Sequence, residues 1–114
     1  RGRILFLLND GHQRAEPQDA LSIVMRSGLL AFSKTLAKQV ADLNITVNCL
    51  SLGLTEEYIM ARDPESKSIK ESLEKLKSKE AHLKITEPEK IANACLFLCS
   101  QAGASVNGQN MSLS

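Results

Sequence analysis

The 114-residue chain carries 14 Lys and Arg against 13 Asp and Glu, a formal net charge of +1, with 43% apolar and 24% charged residues. That length suits one small domain, 1–114, built around a single core. A charge so near balance gives no field to hold a polyanion, and 4% aromatics, with one Tyr and no Trp, leave no base-stacking platform, so nucleic acid is not an expected partner.

The chain opens on Arg1-Gly2-Arg3 without an initiator Met, and we read it as a piece of a longer protein. Ile4-Leu5-Phe6-Leu7-Leu8 is a continuous apolar run closed by Asn9-Asp10-Gly11, the pattern of a strand buried on both faces of a parallel sheet. Residues 10–18, with Gly11, His12 and Pro17, read as a loop. A helix is predicted from Asp19 to Asp42. Leu21, Met25, Leu29, Phe32, Leu36 and Val40 form one apolar stripe, and Ile23, Leu30, Ala37 and Ala41 a second stripe of smaller residues. Two stripes imply packing on two sides. No run reaches the roughly 18 apolar residues of a membrane span, and no signal peptide is visible, so no membrane partner is expected.

Ile45-Thr46-Val47-Asn48-Cys49-Leu50 is a second buried strand, ended by Leu52-Gly53-Leu54. Residues 55–85 are the most charged stretch, with Ile69, Leu73 and Leu76 at helical spacing and Glu71–Lys75 as a supporting pair four apart. Either amphipathic helices over a cleft or a solvated surface helix fits. Thr86-Glu87-Pro88-Glu89 predicts a helix start, with Thr86 as N-cap and Glu89 three residues on. Ile91, Ala92, Cys95, Leu96, Leu98 and Cys99 give that helix a broad apolar face. A loop from Gln101 to Gly108 precedes a last strand over Gln109–Leu113. The alternation of strands and helices predicts an α/β fold with parallel pairing.

Three cysteines, Cys49, Cys95 and Cys99, are read as small buried apolar residues of a protein kept in a reducing compartment such as the cytoplasm. His12 and His82 stand alone in sequence, so no metal site is expected.

Five stretches together resemble the C-terminal half of the short-chain dehydrogenases/reductases. Gly2 to Asn9 is similar to the strand that this family ends with its catalytic Ser, and Ser22 to Val40 to the helix of its Tyr-x-x-x-Lys motif. Ile45-Thr46-Val47-Asn48-Cys49-Leu50-Ser51-Leu52-Gly53 resembles I-R-V-N-x-I-x-P-G. Pro88-Glu89-Lys90-Ile91-Ala92 with Phe97-Leu98-Cys99-Ser100 resembles P-E-E-I-A…F-L-x-S, and Asn107-Gly108-Gln109 the T-G-Q turn. The likeness covers nearly the whole chain in order, and is greatest to the β-ketoacyl-carrier-protein reductases. It implies the C-terminal part of a Rossmann-like, doubly wound, three-layer sheet.

The resemblance also implies a site, and this sequence departs from it there. Asn9 stands at the Ser position, Ser22 thirteen residues later at the Tyr position and Arg26 at the Lys position. An aliphatic hydroxyl is far less acidic than a phenol and does not serve as a general acid near neutral pH. Arg26 can hold a ribose or phosphate, but its planar fork differs from an ammonium. Asn9, an amide, can hydrogen-bond a carbonyl. The Pro before the family's Gly is Leu52, and its nicotinamide-contacting Thr aligns with Glu57, with Thr55 as a substitute two residues nearer. By resemblance, Arg26, Gly53 and Thr55 are the cofactor-binding candidates and NAD(P) the implied cofactor, although the Gly-rich phosphate turn of a dinucleotide fold is absent from these 114 residues.

Two functions follow as expectations. The first is a catalytically degenerate member serving as a structural or regulatory subunit, in a homo- or hetero-oligomer with a related chain and with the small-residue stripe at the interface. The second is an active NAD(P)-dependent oxidoreductase that uses non-standard residues on a carbonyl, hydroxy or ketoacyl substrate. Tyr58, recruited from outside the helix, is a minor candidate proton donor.

Overall fold

A computed structural model describes residues 1–9, 20–53, 55, 71, 74 and 85–113. Its elements are β1 (Gly2–Asn9), α1 (Ala20–Gln39), a 3-10 turn (Ala41–Leu43), β2 (Ile45–Leu52), α2 (Pro88–Cys99), a second 3-10 turn (Gln101–Gly103) and β3 (Asn110–Leu113). The expected loop over 10–18 with His12, and the candidates Glu57, Tyr58, Ile69, Leu73, Leu76, Lys75 and His82, lie outside the described residues. Glu71 and Glu74 are helical and exposed.

The sheet is parallel, in the order β1-β2-β3. Gly2 pairs with Ile45 through to Asn9 with Leu52, and Cys49 with Asn110 through to Leu52 with Leu113. Flanked on both edges, β2 is the core: Thr46 to Ser51 are all buried, and Val47, Cys49 and Leu50 are wholly removed from solvent. Burying Leu50 alone contributes roughly 1.5–3 kcal/mol. The expectation of burial on both faces therefore holds for β2. It fails for β1, where Leu8 is the buried residue and Leu7 is 55% exposed. Among the described residues β1 has a strand on one side only, so its equally apolar sequence has less to pack against.

Helix α1 lies on the face of the sheet that carries Cys49 and Phe6. The Cys49 thiol donates to Ser33 Oγ at 3.0 Å, and the Phe6 and Phe32 rings meet tilted at 6.4 Å between centroids. Ser33 and Ala37 are its buried residues, with Ile23, Arg26 and Leu30 half-buried on the same side. This reverses the expected use of the two stripes. The small residues allow the close approach to β2, so that stripe faces the sheet, while Leu21 (77% exposed) and Met25 (67%) on the large stripe face outward and Phe32 flanks the sheet at Phe6. A second correction concerns composition: Ala20–Gln39 is long and apolar enough to cross a membrane by those two measures alone. Only 11% of that stretch is buried, and the contact of α1 with the sheet runs through Ser33 and Ala37 against β2. The helix stops three residues before the expected Asp42, tightening into the 3-10 turn. Asn44 then takes the left-handed conformation (φ 60°) and donates its N–H to the Ala41 carbonyl.

Helix α2 packs against β1 and β2, with Leu98 its buried residue. Its N-cap is Glu87, one residue later than expected. Pro88 at the first helical position forces the residue before it into an extended conformation, here φ −75° and ψ 141°, and that residue becomes the boundary. Thr86 is buried instead, and its hydroxyl has no hydrogen-bond partner among the described residues. The cysteine expectation holds for Cys49, whereas Cys95 is half-buried and Cys99 exposed. Cys95 lies one turn before Leu98 on the same half-buried stripe, and Cys99 stands outside it.

Two joints tie the C-terminal segment to β2. In the second 3-10 turn, Gly103 is buried so closely that a Cβ there would overlap the Phe97 carbonyl oxygen and come within 3.1 Å of Leu98 Cα. Gly103→Ala is expected to lower stability by about 1–3 kcal/mol, because the obstacle is backbone and cannot swing aside. A urea midpoint equal to the parent's would refute that. The other joint is polar. Asn48 Nδ2 donates to the Val106 carbonyl at 2.9 Å and Asn48 Oδ1 accepts the Gln109 N–H at 3.1 Å. Asn107 Oδ1 accepts the Val47 N–H at 2.8 Å.

Candidate functional site

In a parallel sheet, ligands gather beyond the carboxyl ends of the strands. Here that edge is formed by Asn9, the last residue of β1, paired with Leu52, and by Gly53 and Thr55 just past β2. Gly53 is buried and donates its N–H to the Leu113 carbonyl at 2.6 Å, which ties the exit of β2 to the end of β3. Asn9 and Thr55 are half-buried.

Helix α1 runs antiparallel to the strands. Ser33 sits at Cys49 in mid-strand, and Ala37 faces Gly108, whose N–H reaches back to the Val47 carbonyl. Its N-terminal residues therefore point to the carboxyl edge. At about 1.5 Å per residue, Arg26 stands roughly 10 Å along the axis from Ser33 and Ser22 roughly 16 Å. Cys49 to Leu52 covers roughly 10 Å of strand. Arg26 is thus level with Leu52 and Asn9, while Ser22 overhangs the sheet by roughly 6 Å, or one helical turn. Burial agrees: Arg26 is half-buried and Ser22 exposed. The strand ends bring Asn9, Gly53 and Thr55 to one edge, and by helical rise alone Arg26 falls about level with it and Ser22 about one turn beyond.

Chemically, this edge offers an amide, a permanent cation and a hydroxyl. An arginine and a hydroxyl suit the ribose and carboxamide end of a dinucleotide, where a fork of N–H donors meets sugar oxygens. No acid or base tuned to neutral pH stands among the described members of the set. Groups of three or more metal-ligating side chains are absent among the described residues. At the opposite end of the sheet, a shallow cleft of about 370 Å³ lies between Lys34, Lys38 and Asn107-Gly108-Gln109. Lys34 Nζ is already committed to the Gly108 carbonyl at 2.8 Å, so this cleft belongs to the turn before β3. Asn48 is the residue that the sequence reading treated merely as strand. The signal was a polar side chain in the middle of an apolar run, which is buried only when its bonds are met.

The family model described as Enoyl-(Acyl carrier protein) reductase matches residues 1–114. The 3-oxoacyl-[acyl-carrier-protein] reductase FabG of Chlamydia trachomatis is 32% identical over 101 residues, 88% of this chain and 38% of that protein. The chloroplastic NADPH-dependent aldehyde reductase 2 of Arabidopsis thaliana is 33% identical over 110 residues, 95% of this chain and 38% of that protein. Among solved structures, L-sorbose reductase from Gluconobacter frateurii, complexed with NADPH and L-sorbose, superposes with a TM-score of 0.83 at 25% identity, over 99% of this chain and 46% of that one. The NADH complex of 3-ketoacyl-(acyl-carrier-protein) reductase from Brucella melitensis shares the fold, with a TM-score of 0.73 at 21% identity, over 97% of this chain and 42% of that one. The fold is therefore α/β and Rossmann-like, and the chain belongs to the short-chain dehydrogenase/reductase family. It spans about two fifths of the length of these curated relatives.

Proposed function

We propose that this chain is a catalytically degenerate short-chain dehydrogenase/reductase acting as a structural or regulatory subunit. The carrying observation is the set of residues itself: Asn9, Ser22 and Arg26 stand where the family resemblance puts Ser, Tyr and Lys, and Ser22 is an exposed residue whose hydroxyl lies one bond past Cβ. Such a group neither reaches the level of Asn9 nor carries an acidic proton. The test is a reductase assay on the protein that carries this chain, with NADPH and a ketoacyl substrate. Turnover at about 1–10³ s⁻¹, the ordinary range, sinks the proposal, and turnover orders of magnitude lower supports it.

The competing reading is an active NAD(P)-dependent oxidoreductase acting on a carbonyl, hydroxy or ketoacyl substrate. The half-buried Arg26 at the level of Asn9 favours it, as do relatives named as reductases. A nicotinamide dinucleotide, when bound, gives or takes the hydride. Arg26, Gly53 and Thr55 would hold its ribose end, and Asn9 would orient a substrate carbonyl. Calorimetry with NADP and NAD separates the two ideas from a scaffold without ligand: saturable heat that Arg26→Ala abolishes supports cofactor retention.

A partner subunit follows from α1. Its outward side, with Leu21, Val24 and Met25, is more apolar than a solvated helix face tolerates, and a related copy covers it in this reading. Leu21→Glu with Met25→Glu is expected to shift the sedimentation coefficient from oligomer to monomer; unchanged sedimentation argues against this face. Three free cysteines support placement in a reducing compartment such as the cytoplasm.

A further inference from the structure

Helix α2 carries two free thiols, Cys95 and Cys99, one turn apart. Residues four apart on a helix stack on one face, with Cβ atoms about 5–6 Å from each other. A disulfide needs about 3.5–4.5 Å between Cβ atoms, so direct oxidation of this pair would require the last turn of α2 to unwind. One bridging atom removes that mismatch, because two sulfur bonds of roughly 2.3 Å each, the length seen in metal thiolates, close the gap without moving backbone. Cys99 is exposed and Cys95 half-buried, whereas Cys49 is sealed in the core.

Charge selects the bridging atom. Cys99 is the last residue of α2, at the negative end of the helix dipole. The Phe97 carbonyl there accepts both the Ser100 N–H and the Ser100 hydroxyl, at 3.2 and 2.8 Å. No basic residue lies in the last turn. A bis-thiolate complex of a monovalent ion such as Cu(I) would carry a net negative charge into this end, at a cost of about 0.3–1 kcal/mol. A trivalent arsenical takes up two thiolates and ends neutral. No group of three metal-ligating side chains surrounds the pair among the described residues, which disfavours tetrahedral zinc.

We propose that Cys95 and Cys99 form a dithiol clamp for monosubstituted trivalent arsenicals. Two S–H bonds and the arsenic–oxygen double bond are lost, two As–S bonds form, and the two protons leave with the oxygen as water. Arsenic stays trivalent and no electron is transferred. The second bond is intramolecular, so the adduct outlasts any single-thiol adduct.

The test uses phenylarsine oxide at one equivalent, with intact-protein mass spectrometry under native conditions and a large excess of a monothiol as competitor. The expected result is one adduct per chain in which a phenylarsenic group has replaced two hydrogens. It should persist in the monothiol, be removed by a 1,2-dithiol, and be lost in Cys95→Ser and in Cys99→Ser. Cys99 is exposed and Cys95 only half-buried, and circular dichroism confirms that each variant keeps its helix. Persistence of the adduct in either serine variant overturns the clamp. So does absence of the adduct in the parent protein, whether or not a monofunctional maleimide labels both thiols.

Discussion

In the protein that carries this chain, Ser22→Tyr combined with Arg26→Lys is expected to raise carbonyl-reductase kcat/KM by about 10²–10⁴-fold, the usual worth of a positioned general acid. The reasoning is geometric first. Position 22 overhangs the sheet by roughly one helical turn, and position 26 is level with the carboxyl edge. A phenol at 22 is long enough to descend to that edge, and it ionises near pH 10 against the far weaker acidity of a serine hydroxyl. A lysine at 26, one turn below, lowers the phenol pKa further by placing a positive charge beside it. Ser22→Phe with Arg26→Lys fills the same space without a proton to give, so it should stay at the parent's level. If the Phe variant gains as much as the Tyr variant, packing and not acid catalysis is responsible. If neither gains, the scaffold has lost more than two side chains.

Asn48→Ala is expected to cost about 2–4 kcal/mol and to loosen the whole segment from Val106 to Gln109. The side chain is almost wholly buried, and its amide meets one carbonyl and one N–H of that segment. Truncation strands both groups, and each buried orphan costs about 1–3 kcal/mol. Hydrogen exchange at Gln109 reports the local part, and urea denaturation the global part. Asn48→Asp sharpens the test. Its carboxylate keeps the bond from the Gln109 N–H but turns a negative oxygen on the Val106 carbonyl, so the folded state raises the carboxyl pKa. A raised folded pKa means stability present below the unfolded value of about 4 and lost as pH rises through the folded one. The Asp variant should therefore be more stable in mild acid than at pH 7, relative to the parent, and an identical pH profile would remove Asn48 from this role.

The strands and both helices were legible because their signals are local. β-branched runs mark Ile45–Leu52, and the 3-4 spacing marks Ala20–Gln39. What misled was position in the fold. Leu7 and Leu50 are the same residue in similar runs, yet one faces solvent and the other is sealed, because among the described residues β1 has a strand on one side and β2 on both. The stripes of α1 were both visible, but sequence does not say that close approach to β2 demands the smaller one. Thr86 looked like a cap until the conformational demand of Pro88 moved the boundary to Glu87. At the candidate site, the sequence aligned Asn9, Ser22 and Arg26 through a family likeness. The axial offset between Ser22 and the sheet edge, roughly one helical turn, follows only from the contact of Ser33 with Cys49.

The outer side of β1 has a consequence for handling. Its row of N–H and C=O groups has no strand beside it among the described residues, and Leu7 stands open next to it. A strand side of this kind is a template for an adjoining extended segment. With a net charge of +1 there is almost no long-range repulsion to keep copies apart. Whatever segment lies alongside β1 in the protein that carries this chain therefore meets Leu7 as well as the strand's backbone, and a lysine placed at Leu7 would put a charge at that contact.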